Sequence, residues 1–347
     1  MRLNQLMFFS LVLLVGISCW QGKGKNIPDV SDIKVDVEVK DFHQQLFSID
    51  TNDIQGGISE LQGNYPEFFD LYFTRLLPFR SQMSLDENFY KNVHGFLTDK
   101  RIQRLVDTTG IVYSDFSPIK KEFEQAFQFY KHYFPNKNLP EIYPIITEFG
   151  YGTFIFPINE NKDAIGVGLD MFLGNEYPYW NFAQNNPAFS SYITRTFTKE
   201  HLVKKSMDAL IDDMVEMPSG DRLLDLMIYN GKKMCVMDRL LPTTPDSVKW
   251  EYTTEQTDWI KSNEKQLYAH LLKEELLYET SLRKIKKLVD NSPNSPGMPP
   301  QAPGRTANYI GWKMVEAYLK RHPETSLKEL ITLDAQKILD RSKYKPL

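Results

Sequence analysis

The sequence is nearly without cysteine, holding two in 347 residues, Cys19 and Cys235. With Cys19 placed for another use, as argued below, Cys235 has no intramolecular partner, so disulfides are not part of this fold. Long hydrophobic runs are also missing. The one apolar stretch of note, Leu6 to Val15, is too short to span a hydrocarbon core of roughly 30 Å, which takes about 20 apolar residues. There is no basic excess. The net charge is −4, which leaves no positive field for a nucleic acid backbone.

Chemical motifs are absent too. The six histidines, His43, His94, His132, His201, His270 and His322, never form the His-Glu-x-x-His pair that puts two imidazoles on one helical face for zinc. Gly166-Val167-Gly168 begins like a dinucleotide fingerprint but has no third glycine and opens no phosphate-binding helix. No nucleophile elbow, phosphate-binding loop or Cys-x-x-Cys occurs. The sequence therefore assigns no catalytic residue, metal ligand or cofactor.

What is present begins at the amino terminus. Met1-Arg2, the apolar stretch and the small-residue exit Gly16-Ile17-Ser18 before Cys19 make a signal-peptide layout over 1–18. A thiol immediately after such an exit is where a diacylglyceryl group is attached, so Cys19 is the expected lipidation site. Residues 19–32, starting with a polar, glycine-bearing run, read as a flexible tether. Acyl chains contribute about 0.8 kcal/mol per buried methylene, so two or three would release slowly. An ordinary secretory peptide cut elsewhere, leaving Cys19 incidental, is the alternative.

The chain has an ordinary globular composition, 41% apolar and 25% charged, with aromatics at 13%, and residues 33–347 read as its globular domain. Ile33, Val35, Val37 and Val39 alternate with polar residues as on one face of a strand. Residues 60–110 read as short helices with weak boundaries. Ser117-Pro118 looks like a hydroxyl cap followed by proline at the first helical position, opening a helix that Pro135 ends. Three β-rich runs follow, 142–147, 152–156 and 164–169. Helices are then expected over 189–215, 221–241, from a cap at Thr253 through Ile260, Leu267, Leu271 and Tyr278, and over 308–321. Ser326 with Glu329 opens a last capped segment. The proline-rich stretch 291–304 can form neither helix nor central strand. The fold class is α+β: a mainly helical single domain with a small sheet.

Few residues compete for a site. Cys235 sits in an apolar patch and reads as a buried inert thiol. His270 with Glu274 could share a metal with a third ligand, or be a solvated i,i+4 pair; Glu200-His201 reads as helix surface. Arg305, closing the proline-rich loop, and Gly311-Trp312 behind it are the best binding candidates. A guanidinium fork suits carboxylate or phosphate, although Arg305 could simply cap local carbonyls.

Several segments resemble one family, the GldB-type gliding motility lipoproteins of the Bacteroidetes envelope. They are the lipidated leader; Tyr133-Phe134-Pro135; the run from Ile165 to Gly174; the run from Leu223 to Lys233; Leu240-Leu241-Pro242; Pro303-Gly304-Arg305; Ile310-Gly311-Trp312; and the tail from Ser342 to Pro346. The resemblance implies a cell-envelope, membrane-anchored lipoprotein needed for gliding and tied to type IX secretion, facing the periplasm, with other gliding and secretion proteins as partners and no enzymatic activity. Residues 164–241 are also similar to predicted zinc proteases, whose zinc-binding helix here reads Leu202 to Leu210 without ligands and whose later Glu-Gly pair is Asn230-Gly231. That implies a zincin-like scaffold emptied of metal. A hydrolase with unrecognised metal ligands, and a lipoprotein binding peptide or glycan, are the competing expectations.

Overall fold

The computed structural model describes residues 27–77, 79 and 85–346; Cys19 and the leader lie outside them. Helices α1 (Phe42–Phe47), α2 (Ile54–Asn64), α3 (Pro66–Leu71), α4 (Glu87–Thr98) and α5 (Lys100–Val112) come first. This region has better-defined boundaries than the sequence suggested, because aspartates cap it. The carboxylates of Asp53, Asp86 and Asp99 accept the amide N–H of Gly56, Phe89 and Arg101, each satisfying an orphan donor of a first turn. Helix α6 (Ser117–Tyr133) starts as expected, but Ser117 is not its cap. The Asp115 carboxylate takes the Ser117 N–H instead, at 2.9 Å.

Strands β1 (Glu141–Ile145), β2 (Thr153–Asn159) and β3 (Lys162–Gly168) form one sheet in the order β1-β3-β2, with β1 parallel and β2 antiparallel to β3. The expected strand at 33–39 is not one. Val37 is buried and Ile33, Val35 and Val39 pack against the core, so the alternation is real. The segment meets β1 only at a single bridge, Val39 to Ile142: side-chain burial holds it extended without a ladder.

Two short helices, α7 (Trp180–Ala183) and α8 (Ser191–Thr194), precede α9 (Lys199–Met214), so the helix expected over 189–215 is interrupted before Lys199. Then come α10 (Leu223–Leu240), α11 (Asp246–Trp250), α12 (Thr254–Ser262), α13 (Glu264–Lys273), α14 (Leu282–Val289), α15 (Thr306–Arg321), α16 (Leu327–Leu330) and α17 (Ala335–Ser342). The long helix expected from Thr253 is two. It breaks at Asn263 and stops at Glu275, whose φ is 54°. Ile260, Leu267 and Leu271 are buried as the stripe required, whereas Tyr278 is 56% exposed, because the axis has turned before reaching it.

The sheet divides the core. Tyr143, Ile145, Phe156 and Ala164 face an aromatic cluster built by α1 to α5 and the helical turn Tyr72–Leu76 that follows α3, including Phe42, Phe68, Tyr72 and Phe89. Ile142, Ile165 and Val167 face the larger cluster formed by α6, α9, α10 and α15. Each buried aromatic contributes roughly 1.5–3 kcal/mol relative to exposure, and edge-to-face pairs such as Phe42–Phe68, with centroids 4.8 Å apart, add to that. Gly166 and Gly168 belong to this packing. A Cβ at Gly166 would lie 2.2 Å from the Phe154 ring, and one at Gly168 would lie 2.0 Å from the Tyr151 carbonyl oxygen. These glycines serve close contact within the sheet, not a phosphate.

Candidate functional site

Helix α9 is apolar on the side that meets the core, where Leu202, Val203, Met207, Leu210 and Ile211 are buried. Its other side carries Lys204, Lys205, Asp208 and Asp212 into a cleft of about 600 Å³. The opposing wall comes from Trp250 and Glu251 at the end of α11, Asn291 after α14, and Arg305 and Asn308 at the start of α15. Asn230 of α10 closes the floor, its side-chain amide donating to Asn308 Oδ1 at 3.1 Å, while Asn308 donates to the Val289 carbonyl.

Glu251 is the hub. It sits in the left-handed region at φ 55°, is only 11% exposed, and accepts Lys204 Nζ at 2.7 Å and Lys205 Nζ at 2.9 Å on one carboxylate oxygen. Its backbone carbonyl accepts from Arg195 Nη2 at 2.9 Å, and Arg305 Nη1 approaches its second oxygen at 3.9 Å. Burial opposes its charge, yet the Lys204, Lys205 and Arg305 cations hold its carboxyl well below the usual range. Lys204 also donates to Asp208 at 2.7 Å. Burial, then the Arg305 guanidinium, opposes the charge on Arg195. Beside them His201, half-buried rather than on open surface, is pushed down to about 4 by burial and by Lys205, Lys204 and Arg195, and its Nδ1 lies 2.8 Å from Thr198 Oγ1.

The binding candidates separate here. Arg305, in the left-handed region at φ 61°, lines the cleft rim, but its fork is directed to the Trp250 carbonyl and lies over the Tyr252 ring. The loop behind it is firmly packed: Tyr252 donates to the Gly304 carbonyl, and buried Ser295 donates to the Pro303 carbonyl. Trp312 is turned away from the cleft, its indole N–H donating to Asp238 at 3.0 Å and its ring packed on Trp250 and Tyr309. Gly311, next to it, is where α15 touches α10. An added Cβ there would lie 1.9 Å from the Met227 carbonyl oxygen, and one on Gly231 would lie 2.5 Å from the Gly311 carbonyl carbon.

Cys235 is fully buried, with its sulfur 3.4 Å from a Glu316 carboxylate oxygen, and burial pushes its thiol up. His270 lies against the proline-rich loop, close to where a Cβ on Gly297 would be. Among the described residues no three His, Cys, Asp or Glu side chains stand together as metal ligands. The cleft can hold charged or hydrogen-bonding ligands, and Lys204 and Asp208, four residues apart on α9, are bonded to one another across its wall.

Sequence reasoning missed Lys204, Lys205, Asp208 and Glu251. Lys204 and Asp208 look like any solvated i,i+4 pair; the faint signal was that Lys204 shares a helical face with Met207 and Ile211, which draws it inward. Glu251 carries no local signal, because its partners are some 46 residues away.

No curated protein and no solved structure matches the chain. The sequence model of the family described as "Gliding motility protein GldB" matches residues 23–346. That span takes in the sheet, both cores and every wall of the cleft, and the chain belongs to the GldB family of gliding motility lipoproteins.

Proposed function

We propose that this protein is a non-catalytic, lipid-anchored component of the cell envelope that supports the gliding machinery, and with it type IX secretion, by contacting other envelope proteins. Family membership supports the process. No helix among the described residues is long and apolar enough to cross a membrane, so acyl chains on Cys19 would supply the hold. The observation that carries the non-catalytic reading is the ion-paired cleft. Lys204 is bound to Asp208 and Glu251, so the charged side chains that line the cleft are engaged with one another. A metallohydrolase would need imidazole or carboxylate ligands converging on an open coordination site.

The test has two parts. Deletion should leave cells that do not spread and that lack surface adhesins, with both restored by the wild-type chain. Purified protein should show neither stoichiometric zinc nor turnover of casein. Normal spreading after deletion would overturn the motility role; bound zinc together with proteolysis would overturn the non-catalytic reading.

A further inference from the structure

Strand β2 is the sheet's edge. Gly168 N–H donates to the Gly152 carbonyl at 2.7 Å, and Thr153 stands opposite Val167. In an antiparallel ladder, hydrogen-bonded and non-hydrogen-bonded pairs alternate. Phe154 and Phe156 therefore bond to β3, while the backbone N–H and C=O of Thr153 and Ile155 point outward. Neither residue's outward groups find a partner among the described residues. Pro157 occupies the next outward position, where its missing N–H costs the sheet nothing, and an irregularity follows between Pro157 and Asn159. The open edge is thus short and bounded.

It does not face open solvent alone. A groove of about 570 Å³ runs between this edge and α9, with Ile155, Met171 and Phe197 supplying apolar surface; of the three aspartates on its rim, Asp208 and Asp212 are paired with Lys204 and Lys233, which leaves Asp213 as the acid open to a ligand. Through Lys205, Asp208 and Asp212 it continues into the cleft centred on Glu251. Asp213 has no ion-pair partner among the described residues, and after burial its charge is what raises Asp163 on the neighbouring strand.

We infer that the groove binds a short extended polypeptide segment as an added antiparallel or parallel strand on Thr153–Ile155, with a lysine or arginine side chain of that segment directed to Asp213. Main-chain hydrogen bonds supply the affinity, and alternate side chains read the apolar wall and Asp213. The bond pattern requires an unblocked backbone amide on alternate residues of the ligand, and the charge pattern requires it to be basic. This deepens the reading of a contact-making lipoprotein and rests on it only for its biological setting, since binding is read in vitro and spreading in cells.

The experiment uses the mature chain and three acetylated, amidated pentapeptides: alternating valine and lysine, the same with alternate amides N-methylated, and alternating valine and glutamate. Fluorescence anisotropy should show saturable binding of the first, at least tenfold weaker binding of the other two, and slowed amide exchange confined to β2. Ile155→Pro removes one outward N–H at a position β3 does not use, as Pro157 already does two residues on, so it should keep the folded circular dichroism spectrum, with a midpoint lowered by the lost Ile155 packing, and lose binding at least tenfold. Asp213→Lys should reverse the preference between the lysine and glutamate peptides. No saturable binding of the valine–lysine peptide at millimolar concentration would overturn the inference. Equal binding of the N-methylated peptide would overturn it too, and that arm does not depend on any variant folding.

Discussion

Lys249 and Asp238 form an ion pair with side chains 2% and 1% exposed, joining α11 to α10. Asp238 also accepts the Trp312 indole N–H, so its charge is held from two directions. Removing one partner of such a pair leaves an uncompensated buried charge, at a cost of roughly 3–5 kcal/mol. Lys249→Met should lower the urea unfolding free energy by that order, and a change below about 1 kcal/mol would show that water reaches the pair. His43 of α1 has its Nδ1 buried and without a partner among the described residues, and burial pushes it down from 6.5 to about 4. A histidine with a lowered folded pKa binds fewer protons folded than unfolded between those values. Its contribution to stability is complete above pH 6.5 and is lost as pH falls toward 4. Asp170 and Glu122, both raised to about 7 mainly by burial, act in the opposite direction, so the comparison must be between variants. The thermal midpoint of His43→Gln should decline less between pH 6.5 and 4 than that of the wild type.

At the scale of elements, the crossing of α10 and α15 depends on two glycines without side chains. Gly231 and Gly311 face one another so closely that a methyl group on either would overlap backbone of the other helix. Backbone cannot yield as a flexible side chain can, and overpacking of this kind costs about 1–3 kcal/mol or more. Gly311→Ala should therefore destabilise the fold by at least 2 kcal/mol in denaturant titrations, far beyond the benefit alanine brings to a helix interior, which is on the order of 1 kcal/mol. Periodicity made both helices legible, and the capping boxes at Thr253–Gln256 and Ser326–Glu329 appear as read. What periodicity could not show was that Gly311, which looked like part of a binding feature with Trp312, is a packing contact. A glycine in a helix gives the same letter whether it lies against solvent or another backbone.

For the molecule as a whole, the proposed anchor on Cys19 should be separable from the body. Cys19→Ala should move the protein from the membrane to the soluble fraction, remove the acyl mass from its amino terminus, and abolish gliding, while the thermal midpoint of the globular part stays within about 1 °C. Replacing Cys235 by serine or His270 by glutamine should leave spreading intact. A soluble Cys19→Ala protein that still supports spreading would show that position at the membrane is not what the function requires.

The sequence by itself determined the mainly helical class with three short strands and, through ordered segments spread along the chain, the family. Those properties are written in local periodicity, in turn residues and in linear motifs, all of which a chain displays without folding. The tertiary structure decided which charges meet. It brought Glu251 to Lys204 and Lys205 and turned Trp312 inward. It also left the outer edge of β2 without a partner among the described residues, beside α9, because each depends on packing between segments far apart in the chain. For the same reason Ile33 to Val39 keeps its alternation without becoming a strand: side-chain burial needs only a nearby core, whereas a ladder needs a neighbouring backbone in register along its length.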